Sequence, residues 1–386
     1  MDLSYIINHL GEDHENYFNA VSPPIIQSVN FRFPTVAAMR KALGNEFTEH
    51  VYTRGHNPTV AILRKKLAAL EGTEDALITS SGAAAISCAV LTNVNGGDHI
   101  VCVRKPYTWT AILLNRFLPR FGVTATMIDG RDPENFRKAI QPNTKVIYLE
   151  SPNSILFELQ DIMTIAAIAK EKGIITMIDN SYGTPLYQNP GTMGIDIVLH
   201  TGTKYLAGHS DVVAGIICGR REMIMKIFST ELMTLGGVIS PHDAWLMLRG
   251  LRTLPIRLKQ SSNSAQKVVD YLAGHHKIEK VIFPFHPSHE QYTLAKQQMS
   301  GCCGMFSAML KVTSDKEVEQ FCESLKLFLL AVSWGGFESL VFPAVAMFEQ
   351  GSASKSDVPW NLIRFYIGLE DPDELIADLD QALGQL

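Results

Sequence analysis

The chain has 386 residues, of which 46% are hydrophobic and 19% are charged. This length predicts two or three domains with a substantial buried core, and the apolar content excludes intrinsic disorder. The 34 basic and 39 acidic side chains give a net charge of −5, which provides no electrostatic basis for binding nucleic acid or an anionic membrane.

The six cysteines form no C-x-x-C pair, and only Cys302 and Cys303 are neighbours in the sequence. This spacing favours buried, reduced thiols over a disulfide framework or a zinc site, so we expect no metal. The N-terminus lacks the basic and apolar regions of a signal peptide, and no apolar run approaches the roughly 20 residues of a membrane span. We therefore expect a cytoplasmic protein.

Residues 1–50 show no sustained hydrophobic period and contain turn signals such as Pro34, so we expect an extended N-terminal arm. Asn57-Pro58 then opens a predicted helix that Gly72 ends. Beyond this helix, short apolar runs alternate with amphipathic helical segments. The alternation predicts an α/β fold with a mainly parallel sheet covered by helices on both faces.

The predicted strands of this sheet are seven short runs: Ala76–Thr79, His99–Val103, Val123–Ile128, Lys145–Leu149, Ile174–Ile178, Ile197–His200 and Val212–Cys218. The predicted helices between them are Ala83–Leu91, Ala111–Leu118, Pro133–Ile140 and Ile162–Lys172. Past residue 250 we expect a smaller α+β domain, with a helical stretch through Ala265–Leu272 and strands at Met305–Val312, Phe328–Val332 and Ile363–Ile367. The expected division is an arm over 1–50, a central domain over 51–250 and a C-terminal domain over 251–386.

Three strand ends of the predicted sheet carry residues suited to chemistry, because ligands of such folds bind outside the carboxyl ends of the strands. Ser80-Ser81-Gly82 opens a helix whose amide groups can hold a phosphate, and a simple tight turn is the alternative. Asp179 ends another strand, where a turn cap is the plain alternative. Lys204 follows a third strand among glycine and hydroxyl residues, which is unusual for a surface lysine.

An amine, a carboxylate and a phosphate cradle are together what pyridoxal phosphate (PLP) requires of a protein. On the residues alone, an enzyme with another phosphate-bearing ligand is an equal alternative. A nucleotide-dependent enzyme is disfavoured, since the chain has neither G-x-G-x-x-G nor G-x-x-x-x-G-K-[ST].

The motifs of the chain resemble those of the Cys/Met-metabolism PLP-dependent enzymes, the group of cystathionine β- and γ-lyases, cystathionine γ-synthase and methionine γ-lyase. The resemblance runs in order from about residue 50 to the C-terminus. The motifs that carry it are Tyr52-Thr-Arg54-Gly-His-Asn-Pro-Thr59, Ser80-Ser-Gly82-Ala83, Gly97-Asp98, Asp179-Asn180-Ser181, Thr203-Lys204-Tyr-Leu-Ala-Gly-His-Ser-Asp211, Arg249-Gly-Leu-Arg252, Gly335-Gly-Phe-Glu338 and Arg364-Phe-Tyr-Ile-Gly368.

This resemblance implies the fold type I of PLP-dependent transferases, which is aspartate-aminotransferase-like. Lys204 resembles the Schiff-base lysine, which also moves the proton off the substrate α-carbon. Asp179 would pair with the pyridine nitrogen, and Tyr107 resembles the tyrosine that stacks on the cofactor ring and assists proton transfer. The phosphate would be held by Gly82, Ala83, Thr201 and Thr203.

Two further implications concern the substrate and the neighbouring subunit. Arg364 resembles the arginine that grips the substrate α-carboxylate, with Ser333 beside it, and a buried ion pair with Glu370 is the structural alternative. Tyr52 and Arg54 match residues that reach the cofactor of a neighbouring subunit. The resemblance thus implies a homotetramer, a dimer of dimers with shared active sites, whose arm contacts a neighbour.

The predicted reaction follows from two departures from the commoner family pattern. Ser333-Trp334-Gly335-Gly336 resembles bacterial cystathionine β-lyases, as does Glu150-Ser-Pro-Asn-Ser154, in which Ser154 replaces the usual asparagine. We therefore expect a carbon–sulfur lyase that converts cystathionine to homocysteine, pyruvate and ammonia by β-elimination. Val332 stands where several cystathionine-handling members of the family carry a glutamate, so simpler thioethers remain alternative substrates. Trp109 narrows the predicted pocket.

Other functions stay open at this point. Within the family they are cystathionine γ-lyase, methionine γ-lyase and γ-replacement of the cystathionine γ-synthase type. From a different class comes a catalytically silent PLP-binding regulatory protein. That protein would hold the cofactor without any spectral response to amino acids, and the presence of Tyr107, Asp179, Lys204 and Arg364 disfavours it.

Overall fold

The computed structural model describes residues 1–347 and 357–386. Its larger sheet has seven strands in the order β1-β7-β6-β5-β4-β2-β3. Strand β7 runs antiparallel to both of its neighbours, and all other pairs are parallel. The strands are β1 Asp75–Thr79, β2 His99–Val103, β3 Thr124–Ile128, β4 Thr144–Glu150, β5 Ile175–Asp179, β6 Ile197–Thr201 and β7 Gly215–Gly219.

The structure confirms the predicted mainly parallel sheet. All seven predicted strands are present, and their ends differ from the predicted ones by at most three residues. Most of the strands are buried along nearly their whole length, which is why they read as continuous apolar runs rather than alternating ones. The α-helices of this part are Leu3–Asn8, Val36–Leu43, Pro58–Glu71, Gly82–Leu91, Thr108–Ile112, Pro133–Ala139, Ile162–Lys172, Thr184–Tyr187, Arg221–Ile227 and Met233–Leu235.

A second, smaller sheet forms the C-terminal part, in the order β10-β11-β12-β9-β8. Its strands are β8 Ile278–Ile282, β9 Met305–Leu310, β10 Leu329–Leu330, β11 Leu340–Pro343 and β12 Leu362–Tyr366, with helices at Tyr292–Gln298, Asp315–Ser324 and Pro372–Leu383. The expected α+β character is confirmed. Strands β8 and β11 were not predicted, because β8 exposes Glu279 and Lys280 and β11 is only four residues long.

One helix of 34 residues, Pro241–Gly274, connects the two sheets. The sequence predicts only the stretch through Ala265–Leu272, near the end of this helix, because Pro255 lies inside the helix and proline removes a helical hydrogen bond. Burial of Leu251, Leu254 and Leu258 around that proline offsets the cost. Residues 250 and 251, where we place the boundary of the central domain, lie within this helix. In the part of the chain that the structure describes, no helix has the length and apolarity needed to cross a bilayer.

The extended conformation predicted for residues 1–50 is wrong in part. The structure has α-helices at Leu3–Asn8 and Val36–Leu43 and a 3₁₀ turn at His14–Tyr17. The two α-helices are capped by Asp2 and Thr35. Helices of six to eight residues span about two turns, too short for a hydrophobic period to show in the sequence.

The buried amine of Lys66 connects the first of these helices, and Glu12 just after it, to the helix Pro58–Glu71. The Lys66 Nζ lies 3.0 Å from Glu12 Oε1, and both side chains are almost fully buried. The same amine donates hydrogen bonds to the carbonyls of Ile6 and Ile7. Arg252, on the long helix, adds a second contact of 3.2 Å to Glu12.

We expect Lys66→Met to lower the free energy of unfolding by about 3 kcal/mol, because it leaves the buried Glu12 carboxylate with Arg252 as its remaining cationic partner and two carbonyls without their donor. Urea titration would measure the loss, and limited proteolysis would show earlier cleavage in the first 20 residues. The neighbouring Lys65 is exposed, so Lys65→Met should change stability by less than about 0.5 kcal/mol. Equal losses in the two variants would contradict this role of the pair.

Candidate active site

The carboxyl ends of three neighbouring parallel strands meet at one edge of the larger sheet. Glu150 ends β4 and pairs in register with Asp179, which ends β5. Thr201 ends the next strand, β6. A cavity of about 360 Å³ lies at this edge, and Arg364 of the smaller sheet forms part of its wall. Asp179 and Lys204, which belong to two of the three predicted junctions, thus line one space.

Lys204 lies in this cavity, three residues beyond the end of β6. Its Nζ donates a 2.5 Å hydrogen bond to Ser333 Oγ and lies 5.4 Å from the ring centroid of Trp334. Burial, reinforced by the positive charge of Arg364 and opposed by Asp179, lowers the pKa of Lys204 to about 8. A substantial share of this amine is therefore neutral near physiological pH, as a nucleophile or base requires.

The segment that meets Lys204 has strained backbone. Ser333 adopts a φ of 81°, a region that residues other than glycine enter at a cost of about 1–3 kcal/mol. Nearby, a Cβ atom added to Gly335 would come within 2.8 Å of the Lys204 carbonyl carbon, so only glycine allows this close approach. The strain is stored where the Ser333 hydroxyl meets the lysine amine.

Asp179 is 7% exposed, and its Oδ1 accepts a 2.9 Å hydrogen bond from the Ser181 amide. Burial raises the pKa of this carboxyl, while the Ser181 hydrogen bonds and the charges of His200 and Lys204 act in the opposite direction. A buried carboxylate that faces a ligand needs a cationic partner, which a protonated ring nitrogen supplies.

The helix Gly82–Leu91 begins at the same edge, directly after β1. Ser81 caps it by accepting a 3.1 Å hydrogen bond from Ala84, which leaves the amides of Gly82 and Ala83 without intrahelical acceptors. A Cβ atom on Gly82 would collide with the Thr201 side chain, so this glycine brings the helix end and β6 together. Such an arrangement suits a phosphate.

Thr203 lies two residues beyond Thr201, in the turn after β6. Its hydroxyl is hydrogen-bonded to the backbone of Ala214. Its hydroxyl accepts a 3.0 Å hydrogen bond from the Ala214 amide. The same hydroxyl donates a 3.4 Å hydrogen bond to the Ala214 carbonyl, so it would have to exchange this long contact for one to a ligand.

Arg364 occupies the centre of β12 and enters the cavity from the side opposite the larger sheet. Its guanidinium donates to the carbonyl of Ser154 at 3.2 Å and to that of Ser333 at 3.3 Å. Burial lowers its pKa to about 10. The alternative ion pair with Glu370 is wrong, because that carboxylate instead accepts from the amide and hydroxyl of Ser339.

Tyr107 also lines the cavity, with 38% of its surface exposed. Burial, followed by the nearby charges of Asp179 and Glu150, raises the pKa of its phenol. The group therefore stays protonated at neutral pH. Its position allows contact with a ring bound between Lys204 and Asp179.

Tyr52 and Arg54 are not brought to this cavity by the single chain. The Arg54 guanidinium lies 5.5 Å above the Tyr52 ring, and the tyrosine is 43% exposed. Neither residue lines the space that holds Lys204.

A larger cavity, of about 690 Å³, lies elsewhere, between the N-terminal segment and the helix Pro58–Glu71. Its walls include Tyr17, Phe47 and His56, and it is remote from the strand ends. The smaller cavity is the better candidate, because it contains the amine of depressed pKa and the convergent polar groups.

One residue of this site, Glu150, is not predicted from the sequence, where it stands only as part of the motif Glu150-Ser-Pro-Asn-Ser154. The side chain is 5% exposed and lines the cavity beside Asp179. Burial, followed by the charge of Asp179, raises its pKa to about 8. The signal that could have found it is an acidic residue at the end of an otherwise apolar strand, next in the sheet to the strand that ends in Asp179.

The residues present fit PLP. Lys204 offers an amine that is readily neutral, Asp179 offers a buried carboxylate, and the helix beginning at Gly82 offers unbonded amides beside Thr201. The fold, with its larger and smaller sheets, and this site together define a PLP-dependent enzyme of fold type I.

Comparisons with known proteins identify the family. The family model described as Cys/Met metabolism PLP-dependent enzyme matches residues 5–384, and the chain belongs to this family. The chain is 38% identical to the L-methionine gamma-lyase of Treponema denticola, over 96% of this chain and 94% of that protein. It is 35% identical to the cystathionine gamma-lyase of Bacillus subtilis, over 97% of each.

A solved structure supports the same conclusion. The crystal structure of metB from Corynebacterium glutamicum matches with a TM-score of 0.92 and 32% identity, covering 100% of this chain and 98% of that one. The predicted fold type I is thereby confirmed, and PLP is the cofactor of the family. The chain is a PLP-dependent lyase of cysteine and methionine metabolism.

The depressed pKa of Lys204 can be tested on the cofactor-free protein. Acetylation of an amine requires its neutral form. The rate at which Lys204 is acetylated should therefore rise with pH, and the midpoint of this rise should lie at a pH of about 8. Arg364→Met should move this midpoint upward, because it removes a positive charge that disfavours the protonated amine. Peptide mass spectrometry would follow both, with the exposed Lys138 as an internal reference. Labelling of Lys204 in parallel with Lys138 would contradict the desolvated site.

Proposed function

We propose that this chain cleaves a sulfur amino acid by β-elimination, with cystathionine as substrate and homocysteine, pyruvate and ammonia as products. The observation that carries the proposal is the Lys204 amine, with its pKa of about 8, in one cavity with Arg364 and beside Ser333 and Trp334. The wider class, a PLP-dependent lyase, is shared with the relatives named L-methionine gamma-lyase and cystathionine gamma-lyase. The choice of β-elimination and of cystathionine is the proposal.

Bound PLP would supply the electron sink that makes the substrate α-proton acidic. Lys204 and Asp179 would hold the cofactor, together with Gly82, Ala83, Thr201 and Thr203. Lys204 would then take the α-proton, for which a pKa near the working pH is best suited. Loss of that proton is followed by departure of the homocysteine thiolate from Cβ, and water converts the remaining three-carbon fragment to pyruvate and ammonia.

Arg364 would bind the α-carboxylate of the substrate. It forms no ion pair with any carboxylate that the structure describes, and its only hydrogen bonds are to two carbonyls. A buried guanidinium held by neutral acceptors retains its full charge for an incoming anion. Ser333, which bonds both Lys204 and Arg364, would keep the two groups at a fixed separation.

The surroundings of Lys204 favour β- over γ-elimination. A γ-elimination needs a second proton to leave from Cβ, so the base must reach two carbons in turn. Here the amine is held by Ser333 and is flanked by the Trp334 indole, which is 7% exposed and packs on Tyr205. A large, fixed ring beside the amine limits its travel and suits the shorter proton path.

The outer part of the cavity favours an extended substrate. Lys105 lines it and donates only to the carbonyl of Asp357, without an ion pair to any of the described residues. The distal half of cystathionine carries a carboxylate that this amine could meet. Methionine ends in a methyl group and would leave the charge unused.

A second candidate is γ-elimination of L-methionine. Its support is the apolar character of the other outer residues, since Val332, Trp109, Phe342 and Met347 all line the cavity. Relatives from Treponema denticola and Porphyromonas gingivalis, at 38% and 39% identity, carry the name L-methionine gamma-lyase. A methylthio group fits such a wall without a polar partner.

We also propose that the chain acts as a homotetramer, a dimer of dimers, in the cytoplasm. Exposed apolar residues cluster in the expected arm of residues 1–50, among them Val21, Val29 and Val36. A neighbouring copy that covers this surface would let Tyr52 and Arg54 complete its site. All six cysteines are buried free thiols, as a reducing compartment maintains them. The division into residues 1–50, 51–250 and 251–386 belongs to the same proposal.

Product analysis distinguishes the candidates. With purified holoenzyme and L-cystathionine, β-elimination gives homocysteine with pyruvate, whereas γ-elimination gives cysteine with 2-oxobutyrate. We expect pyruvate as the main oxoacid and at least about tenfold lower turnover of L-methionine, since a lost charge contact costs about 1.4 kcal/mol or more.

Lys204→Ala serves as the control for this assay and should form neither oxoacid. Cysteine with 2-oxobutyrate as the main products from cystathionine would overturn the β assignment. Methanethiol with 2-oxobutyrate from methionine, at a rate above that for cystathionine, would establish the second candidate.

A further inference from the structure

Glu150 is a buried acidic group in the cavity that the reaction outlined above does not use. Its two carboxyl oxygens accept two different backbone amides. Oε2 accepts from Tyr107 at 2.6 Å, and Oε1 accepts from Ser154 at 3.1 Å. These two amides belong to different walls of the cavity, since Tyr107 follows β2 and Ser154 follows β4.

The Ser154 residue continues this connection to the smaller sheet. Its amide donates to Glu150, and its carbonyl accepts from the Arg364 guanidinium at 3.2 Å. A chain of hydrogen bonds therefore runs from the Tyr107 amide through Glu150 and Ser154 to Arg364. Its three links measure 2.6, 3.1 and 3.2 Å, and Glu150 at its centre is 5% exposed.

We propose that Glu150 is a positioning residue, which fixes the ring-facing segment at Tyr107 and the carboxylate-binding Arg364 in one register across the cavity. The inference rests on the proposed function of those two residues. A short carboxyl group is well suited to the task, because it offers two acceptor oxygens about 2.2 Å apart to two amides that come from different segments.

The protonation state of Glu150 bears on this role. Burial, then the charge of Asp179, raises the pKa of Glu150 to about 8, so the group is largely neutral at pH 7. A neutral carboxyl still accepts both amides but does not compete with a substrate carboxylate for Arg364. Ionisation above pH 8 would introduce that competition. The titratable groups that face Glu150 are Asp179 on β5, Cys102 on β2, Tyr148 within β4, Arg364 on β12 and Tyr107.

Glu150→Gln tests the inference, because an amide has one acceptor oxygen and must present its NH₂ group to the second backbone donor. With holoenzyme, the probe is L-alanine, an amino acid without a leaving group, whose binding is read from the cofactor absorbance. We expect its dissociation constant to rise about tenfold at pH 7, the effect of one lost hydrogen bond near a charge. In turnover, KM should rise by a similar factor while kcat changes by less than about threefold.

The pH dependence supplies a readout that a merely structural glutamate would not give. The dissociation constant of L-alanine should rise between pH 7.5 and pH 9 in the natural enzyme and rise less in Glu150→Gln, which has no carboxyl to ionise. Every other titratable group of the site is present in both proteins, so the difference between their profiles isolates Glu150. Parallel profiles would overturn the inference.

Glu158→Gln is the matched control. Glu158 lies in the loop that follows β4, and its substitution is the same change from a carboxyl to an amide. It contacts Arg104 and Asn153 and does not line the cavity. Its alanine binding should equal that of the natural enzyme. An unchanged dissociation constant in Glu150→Gln, or an equal change in both variants, would refute the positioning role.

The outcome separates this inference from the proposed function. If the natural enzyme turns over no sulfur amino acid, the reaction assignment fails, yet a selective loss of alanine binding in Glu150→Gln still establishes the positioning role. If cystathionine is cleaved to pyruvate but the dissociation constant of L-alanine is unchanged in Glu150→Gln, the proposed function is supported and the positioning role is refuted. Thermal unfolding of each variant without cofactor identifies any loss that is due to misfolding alone.

Discussion

The desolvated amine of Lys204 is the group on which the rest of the site depends. Burial alone would push this lysine towards its neutral form, and Arg364 pushes it further in the same direction. Two cationic side chains in one buried space are costly unless anionic groups offset them. Asp179 provides that offset at a strand end, and it keeps the pKa of the amine near 8 rather than lower.

The architecture supplies these charges from separate parts of the chain. Parallel strands deliver Glu150, Asp179 and Thr201 to one edge of the larger sheet, as the carboxyl ends of neighbouring strands must. The smaller sheet contributes Arg364 from the opposite side. The helix Pro241–Gly274 connects the two sheets, so the distance between Lys204 and Arg364 is set by packing between these two parts of the chain rather than by a flexible linker.

Much of this arrangement could be predicted from the sequence, because its most informative signals are local. The buried parallel strands show as short apolar runs, Asp179 follows one of these runs directly, and Lys204 lies in the short turn after another. The role of Glu150 could not be predicted, since it depends on the lateral register of β4 and β5 and on an amide 43 residues away at Tyr107. The strained φ of Ser333 was missed because packing between distant segments determines it, and no local pattern records it. The short N-terminal helices were missed because about two turns are too few for a hydrophobic period to show.

The central claim is that Lys204 is the amine that holds the cofactor, and covalent trapping tests it most directly. Borohydride reduction of the holoenzyme fixes the cofactor on the lysine to which it is bound, and peptide mass spectrometry then locates the added pyridoxyl phosphate group. The structure predicts this mass on the peptide that contains Lys204, at close to one group per chain. Its appearance on any other lysine, or a fully active enzyme from which no peptide gains the mass, would contradict the account.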